Sequence, residues 1–391
     1  MVLPGGRQVA GVSLINLVLR VADCGSEGAA VAAGHSGVMG SRSALVWLPA
    51  IGLLVAGCSS DTGSRAPATT PVSARPAAPA AEPAIAAAPA VPPAGTVVPV
   101  GNAPEGIVIG TSGIGAVAVR NPDGVKLIDA ATGAVRQTVP TVGAARHLSL
   151  GGPDGPVLVP LERSNELCEL TLADGRVTST TAGVGRQPHD AARTAGGTIV
   201  VTNELGGGVV FVRAGTVVAS LPAGPVQPGG VAALGDYAAV ADVQGNGVWV
   251  YDGSTFRQMA QGPVGVKLTH AVAVSRDLAA FADTDGGAVF VERIDPQLAQ
   301  VAKIDAPGKP YGLAYDAPRR RLYVTLTASN LMRLIDISDA TKPRILGDVP
   351  TVQQPNSVAV DPRSGNVLVT GSDPDGGSGL QIVTPDLLPP G

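Results

Sequence analysis

Aromatic side chains are scarce in this 391-residue chain, at 3%, and charged residues make up only 15%. Trp249 and the few tyrosines are too scattered to build a sugar-stacking platform. The net charge is −4 with no run of like charges, which excludes the electrostatic footprint of a nucleic-acid binder. Three cysteines, Cys24, Cys58 and Cys168, are too few for a disulfide framework. Cys168 lies among strand formers in "ELCELTL" and reads as a small buried hydrophobe. The GxSxG, HExxH, CxxC and P-loop patterns are missing, which removes the commonest serine, zinc and nucleotide enzymes. Glycine and proline are plentiful, at 52 and 34 residues. With many short valine-rich runs, they point to strands joined by tight turns.

The segment "ALVWLPAIGLLVAGC" is an uncharged apolar run ending at Cys58, of signal-peptide length and short for a membrane span. Arg42 precedes it as a positive flank. Its end, Leu54-Val55-Ala56-Gly57-Cys58, resembles the lipobox of bacterial lipoproteins. The resemblance implies that Cys58 is acylated on sulfur and becomes the first residue after cleavage. The mature protein would then be extracytoplasmic and held to the cell membrane by lipid. Met39 is the natural start for such a signal, so residues 1–38 are expected to be an over-extension and 39–57 the signal peptide. Residues 58–95 follow as a tether. The eight prolines between Asp61 and Gly95 disfavour helix and sheet and favour an extended, disordered chain. Thr-Thr-Pro within it is a candidate acceptor for O-linked sugar.

Residues 96–391 repeat. The segments "APEGIVIG", "ARHLSLG", "QPHDAAR", "QPGGVAA", "LTHAVAV", "KPYGLAY" and "QPNSVAV" align on Pro104, Arg146, Pro188, Pro228, Thr269, Pro310 and Pro355. Their separations are 42, 42, 40, 41, 41 and 45 residues. Each is followed by a second short strand such as "TIVVT" or "LYVTL", a third such as "GVWVYD", and usually a fourth. A period near 41 with four strands per unit predicts an all-β, seven-bladed β-propeller with four-stranded blades. The last unit lacks a fourth strand, and "GTVVPVGNAP" matches the end of the first unit. Thr96–Val100 is therefore expected to complete the last blade and leave no open sheet edge. The phrases "PxxxAV", "VT" and "VxVxD…TG" resemble the YVTN and lactonase-like seven-bladed propellers. With the lipobox and proline tether, the chain resembles propeller lipoproteins of high-GC bacteria.

The residue after each reference position is Glu105, His147, His189, Gly229, His270, Tyr311 and Asn356. Every histidine after Cys58 stands at this one position. Side chains within the inner strand are expected to face adjacent blades, so only the loop leading into it would aim at the central channel. Seven such loops predict a polar ring at the channel mouth. The antiparallel second strand returns to the same face and adds Asn203, Glu204, Asp242 and Asp283. His147, His189 and His270 are candidate ligands for a transition metal such as zinc or copper. They are also candidate acid–base groups beside Arg146, whose cation would steady an oxyanion. Resemblance to the lactonase-like propellers implies that Glu105, Arg146, His147 and His189 would carry such chemistry. Two functions stay open: a binding or scaffold module for an envelope protein or small molecule, and a lactonase-like hydrolase or metal-binding protein. A monomer is expected, with the membrane as partner through Cys58. "DPDGGSG" (Asp373 to Gly379) lacks calcium-loop spacing and reads as an inserted turn.

Overall fold

The computed structural model describes residues 82–372 and 378–391. The signal segment, Cys58, the tether up to Ala81 and residues 373–377 of the inserted turn lie outside them. The described residues form seven four-stranded antiparallel sheets. The first six span residues 107–140, 149–182, 188–221, 228–263, 268–305 and 310–350. The seventh spans 355–383 and takes Thr96–Val98 as its outer strand. Among the described residues, helix is limited to two single turns, Thr327–Ser329 and Pro385–Leu387. No helix of the described residues is long and apolar enough to cross a membrane.

The absence of polar–apolar alternation along the second strands has a direct cause. Side chains on a strand alternate between faces, and here both faces are covered by protein. In blade one, Ala116 and Ala118 pack with Val157, Val159 and Leu170 of blade two. Val117, between them, packs with Leu368 and Leu380 of blade seven. Blade three repeats the arrangement: Val201 packs on blade two, and Val200 on Val240 and Tyr251 of blade four. Further clusters join blades four to five, five to six and six to seven. The cluster shared by blades seven and one closes the circle, so the fold is a ring. Outermost strands see water, and Thr216–Leu221 alternates exposed and half-buried residues.

Ring closure uses the expected strand, shortened by two residues. Thr96, Val97 and Val98 pair antiparallel with Ile382, Gln381 and Leu380. Val100 lies beyond the strand and is buried in the blade seven–blade one cluster. The tether was expected to reach Gly95 as free chain. Instead, residues from Glu82 onward lie on the propeller. Gln353 donates to the Ala86 carbonyl at 2.9 Å and Asn330 to that of Ala87 at 2.8 Å. The Ala94 N–H donates to the Pro350 carbonyl at 3.0 Å. Alanine and proline offer side chains of little chemical character, so composition alone hid contacts made by the backbone.

One irregularity recurs where the functional question lies. In blades three to seven the innermost strand carries a β-bulge at or just after its reference position, as between Pro188 and Ala191, Leu268 and His270, or Pro310 and Leu313. A bulge breaks the alternation and re-aims a side chain. Threonine at the end of the second strand fills the gap. The Asp190 N–H donates to Thr202 Oγ1 at 3.0 Å, and the Gly312 N–H to Thr325 Oγ1 at 2.7 Å. This accounts for the recurring "VT". Gly312 also lets the inner strands of blades six and seven approach one another, since a Cβ there would stand 2.8 Å from the Asn356 carbonyl oxygen.

Candidate functional site

The ring residues are buried, in blade two, where the inner strand carries no bulge, as well as in the bulged blades. His189 and Tyr311 are each 1% exposed, and His147 and His270 each 7%. They sit in or beside the innermost strands rather than in open loops, so the polar ring expected at the channel mouth is a packed neck. Ring centroids are 4.5 Å apart for His189 and His147, 4.2 Å for His147 and His270, and 4.2 Å for His270 and Tyr311. His147 Nδ1 and His270 Nε2 share a hydrogen bond of 3.1 Å. The three imidazoles therefore form a row, with His147 packed against His189 at 51° and edge-on to His270 at 64°, and are not splayed around a single point.

Carboxylates and guanidinia gather on one side of this neck. Arg146, 4% exposed, directs Nε to Glu162 at 3.0 Å, with Glu105 3.9 Å from Nη1. Both of its terminal nitrogens donate to Glu82, at 2.6 and 2.7 Å. Arg120 meets Glu105 at 2.5 Å and Glu162 at 3.7 Å. His189 Nδ1 lies 3.4 Å from Glu204 and 3.7 Å from Glu162. Gln187 donates to Glu204 at 2.8 Å.

Burial alone would push the pKa of His189 down. The charges of Glu204 and Glu162 outweigh it and raise the value to about 9, so this imidazole is protonated at neutral pH. His147 and His270 go the other way. Burial holds both well below the ordinary histidine value, helped by His270 and then His189 beside His147, and by His189 beside His270. One charged and two neutral imidazoles thus pack side by side. Burial also raises Glu105, against the opposing pull of Arg146 and Arg120.

Arg120 and Glu162 escaped the sequence reading. Both stand one residue after the second strand of their blade, as Glu204 does. At that position the backbone N–H ties back to the segment before the inner strand: Arg120 to Asn102, Glu162 to Ala144 and Glu204 to Gln187. Their spacing of 42 and 42 residues carried the signal. Asn203, Asp242 and Asp283 stand one residue earlier and have a different task. The Asp242 carboxylate accepts from the N–H groups of Val226, Gln227 and Gly245 at 2.9 to 3.1 Å. Asp283 does the same with Val266, Lys267 and Gly286, and Asn203 with Arg186 and Gly206. These residues clamp loops. Asn356 is also a brace, donating to the Pro104 carbonyl across the blade seven–blade one seam at 3.1 Å.

On the other side of the neck the central channel opens into a cavity of about 450 Å³. His147 and His270 line it, together with Asp190, Arg193 and apolar groups such as Leu148 and Val231. The expectation that inner-strand side chains face only adjacent blades is therefore corrected. One set of them faces the axis, because seven blades hold their inner strands apart around a central space. Asp190 braces blade three to blade four by accepting the Val231 N–H at 2.9 Å, and burial raises its pKa to about 6.

No protein-family profile and no curated protein match the sequence. Solved structures do match. The RRP9 WD40 repeats are 14% identical over 75% of this chain and 98% of that one, with a TM-score of 0.65. A streptogramin B lyase is 15% identical over 73% and 95%, with a TM-score of 0.58. The hydrazine synthase of Kuenenia stuttgartiensis is 14% identical over 73% and 97%, with a TM-score of 0.61. The likeness is one of fold. Propellers with such different names share it, and chemistry must be argued from this chain's own residues.

Proposed function

We propose that this propeller is a binding module, held outside the cell membrane through a lipid on Cys58, that takes a small ligand in its central channel against the histidine neck. The observation that carries the reading is a set of buried, unspent donors and acceptors. His147 Nε2, His270 Nδ1 and His189 Nε2 are buried without a hydrogen-bond partner among the described residues. Buried polar atoms are ordinarily paired, because each unpaired one costs about 1–3 kcal/mol. Two of these imidazoles are neutral and line the channel cavity, so each offers a ligand one nitrogen as donor or acceptor. The polar braces across the seams between blades, Asn356 and Asp190, have their hydrogen bonds made, unlike these imidazole nitrogens.

A second reading has an observation of its own. Donor atoms of Glu162, His189 and Glu204 all lie within 4.8 Å of one another. Two carboxylates and an imidazole suit a divalent transition metal, which would have to displace the proton on His189. This set retains only one of the three histidines expected from the repeat. Hydrolysis finds less support, because Arg146, the cation that would steady an oxyanion, already has Glu82 and Glu162 on it.

The test uses protein extracted from membranes without chelator. Native mass spectrometry should show a copurified small molecule that is lost in the double variant His147→Phe and His270→Phe. Elemental analysis decides the metal reading, which requires near-stoichiometric metal that disappears in Glu204→Gln. Protein with neither mass nor metal, and with no gain in stability from any member of a small-molecule library, overturns both. The Cys58→Ala variant should appear in the soluble fraction, and its retention in membranes would remove the anchor.

A further inference from the structure

The contact between Glu82 and Arg146 is unlike the other ion pairs of the cluster. Glu105, Glu162 and Glu204 belong to the blades, whereas Glu82 is carried in by the segment preceding the first blade. That segment is fixed at Ala86 and Ala87 on the loops of blades six and seven. Ala86 is 4% exposed. Four residues earlier in the chain, Glu82 reaches Arg146 of blade two. A stretch of that length spans at most about 14 Å, and it joins the loops of blades six and seven to blade two. The two partners differ in burial: the Arg146 side chain is 4% exposed and that of Glu82 62%. The guanidinium is thus part of the propeller body, and the carboxylate is laid over it from outside.

We infer that the two terminal nitrogens of Arg146 form a carboxylate-binding site at the mouth, and that Glu82 occupies it in cis until a carboxylate-bearing ligand replaces it. The geometry of the site is set without Glu82. Nε is held by Glu162 at 3.0 Å, and Glu162 is in turn faced by Arg120 and His189. The Tyr311 hydroxyl interacts with the same guanidinium. A guanidinium fixed along one edge presents its other nitrogens as a planar fork, which matches the two oxygens of a carboxylate. Removing Glu82 leaves both of those donors without their present acceptor, and Glu105 at 3.9 Å is beyond hydrogen-bond reach. Because Glu82 is tethered, its local concentration is high, and a free ligand must outcompete it. The inference is independent of what fills the channel, which lies on the other side of the imidazole neck.

Acetate is the probe, at constant ionic strength against chloride, with acetamide as the neutral isostere. In the full chain carrying Glu82→Ala, acetate should raise the melting temperature by about 2 °C or more over chloride. Acetamide should not. The wild type should show a smaller gain, because its site is filled. In the wild type, high acetate should also speed hydrogen exchange in residues 82–87, as the strap is released. Equal melting temperatures for Glu82→Ala in acetate, acetamide and chloride would overturn the site. Stabilisation of that variant without faster exchange in the wild type would overturn displacement and leave an internal ion pair. Arg146→Lys keeps the charge but not the fork, and in the Glu82→Ala background it should lose most of the acetate effect. Retention of the effect there would also count against the proposal.

Discussion

At the scale of single residues, the imidazoles of the neck set opposite pH limits on stability. The folded-state pKa of His189 is about 9, against an ordinary value of 6.5. A raised base contributes stability that is fully present below the unfolded pKa and is lost as pH rises through the folded one. The difference corresponds to on the order of 3 kcal/mol, and His189 is buried enough for it to count. His147 and His270 have depressed values. Their contribution is present above 6.5 and is lost as pH falls, when the unfolded chain takes protons that the folded one refuses. Urea unfolding should therefore show greatest stability near neutral pH, with a decline between about 6.5 and 9 that belongs to His189. The His189→Gln variant should be less stable near pH 6 and nearly flat across the alkaline window. An unchanged alkaline decline in that variant would show that the imidazole is not the group that titrates.

At the scale of strands and loops, the repeated carboxylate clamp carries the prediction. Asp242 is 1% exposed and accepts three backbone N–H groups. Asp242→Ala leaves those donors unpaired at a cost of about 1–3 kcal/mol each if none recovers water, so a loss of roughly 3 kcal/mol is expected. Asp242→Asn, which keeps one acceptor oxygen, should recover part of it. A loss below about 0.5 kcal/mol in calorimetry would mean that the loop is held by something else. This element also marks how far the sequence could be read. The 41-residue period gave strands, blades and the inward position of the histidines, because rotation about one axis repeats a local environment. It could not separate Asp242 from Glu204, which are one residue apart in repeat position yet point to a loop and to the neck, respectively. That choice is made by strand alternation at a strand end, where alternation gives way to a turn. The bulges were hidden for a related reason: an extra residue on one strand leaves no compositional trace except the threonine that fills it. Glu82 was illegible because its partner, Arg146, is 64 residues away and no repeat relates them.

At the scale of the whole molecule, stability rests on closing the ring. Every seam between blades is covered on both sides, and the seam at blade seven depends on a strand from the opposite end of the chain. Thr96–Val98 supplies the outer ladder to Leu380–Ile382, while Val98 and Val100 join the cluster that holds blade seven to blade one. A chain beginning at Gly101 loses this strand and leaves an edge open to pairing with other copies. Removing two valines that bury part or all of their side chains costs about 2–5 kcal/mol, which is a fall of roughly 5–15 °C in melting temperature. A chain beginning at Gly95 keeps the strand but loses the strap from Glu82 to Ala94. It forfeits the hydrogen bonds to Gln353 and Asn330 and the ion pair with Arg146. Surface contacts of this kind are individually weak, although Arg146 is left buried with one partner fewer. The expected order is therefore the chain with the strap, then the one from Gly95 lower by about 2–4 °C, then the one from Gly101 well below both. Light scattering should report self-association for the last alone. Melting temperatures that coincide for the chains from Gly95 and Gly101 would show that the ring does not need its N-terminal strand.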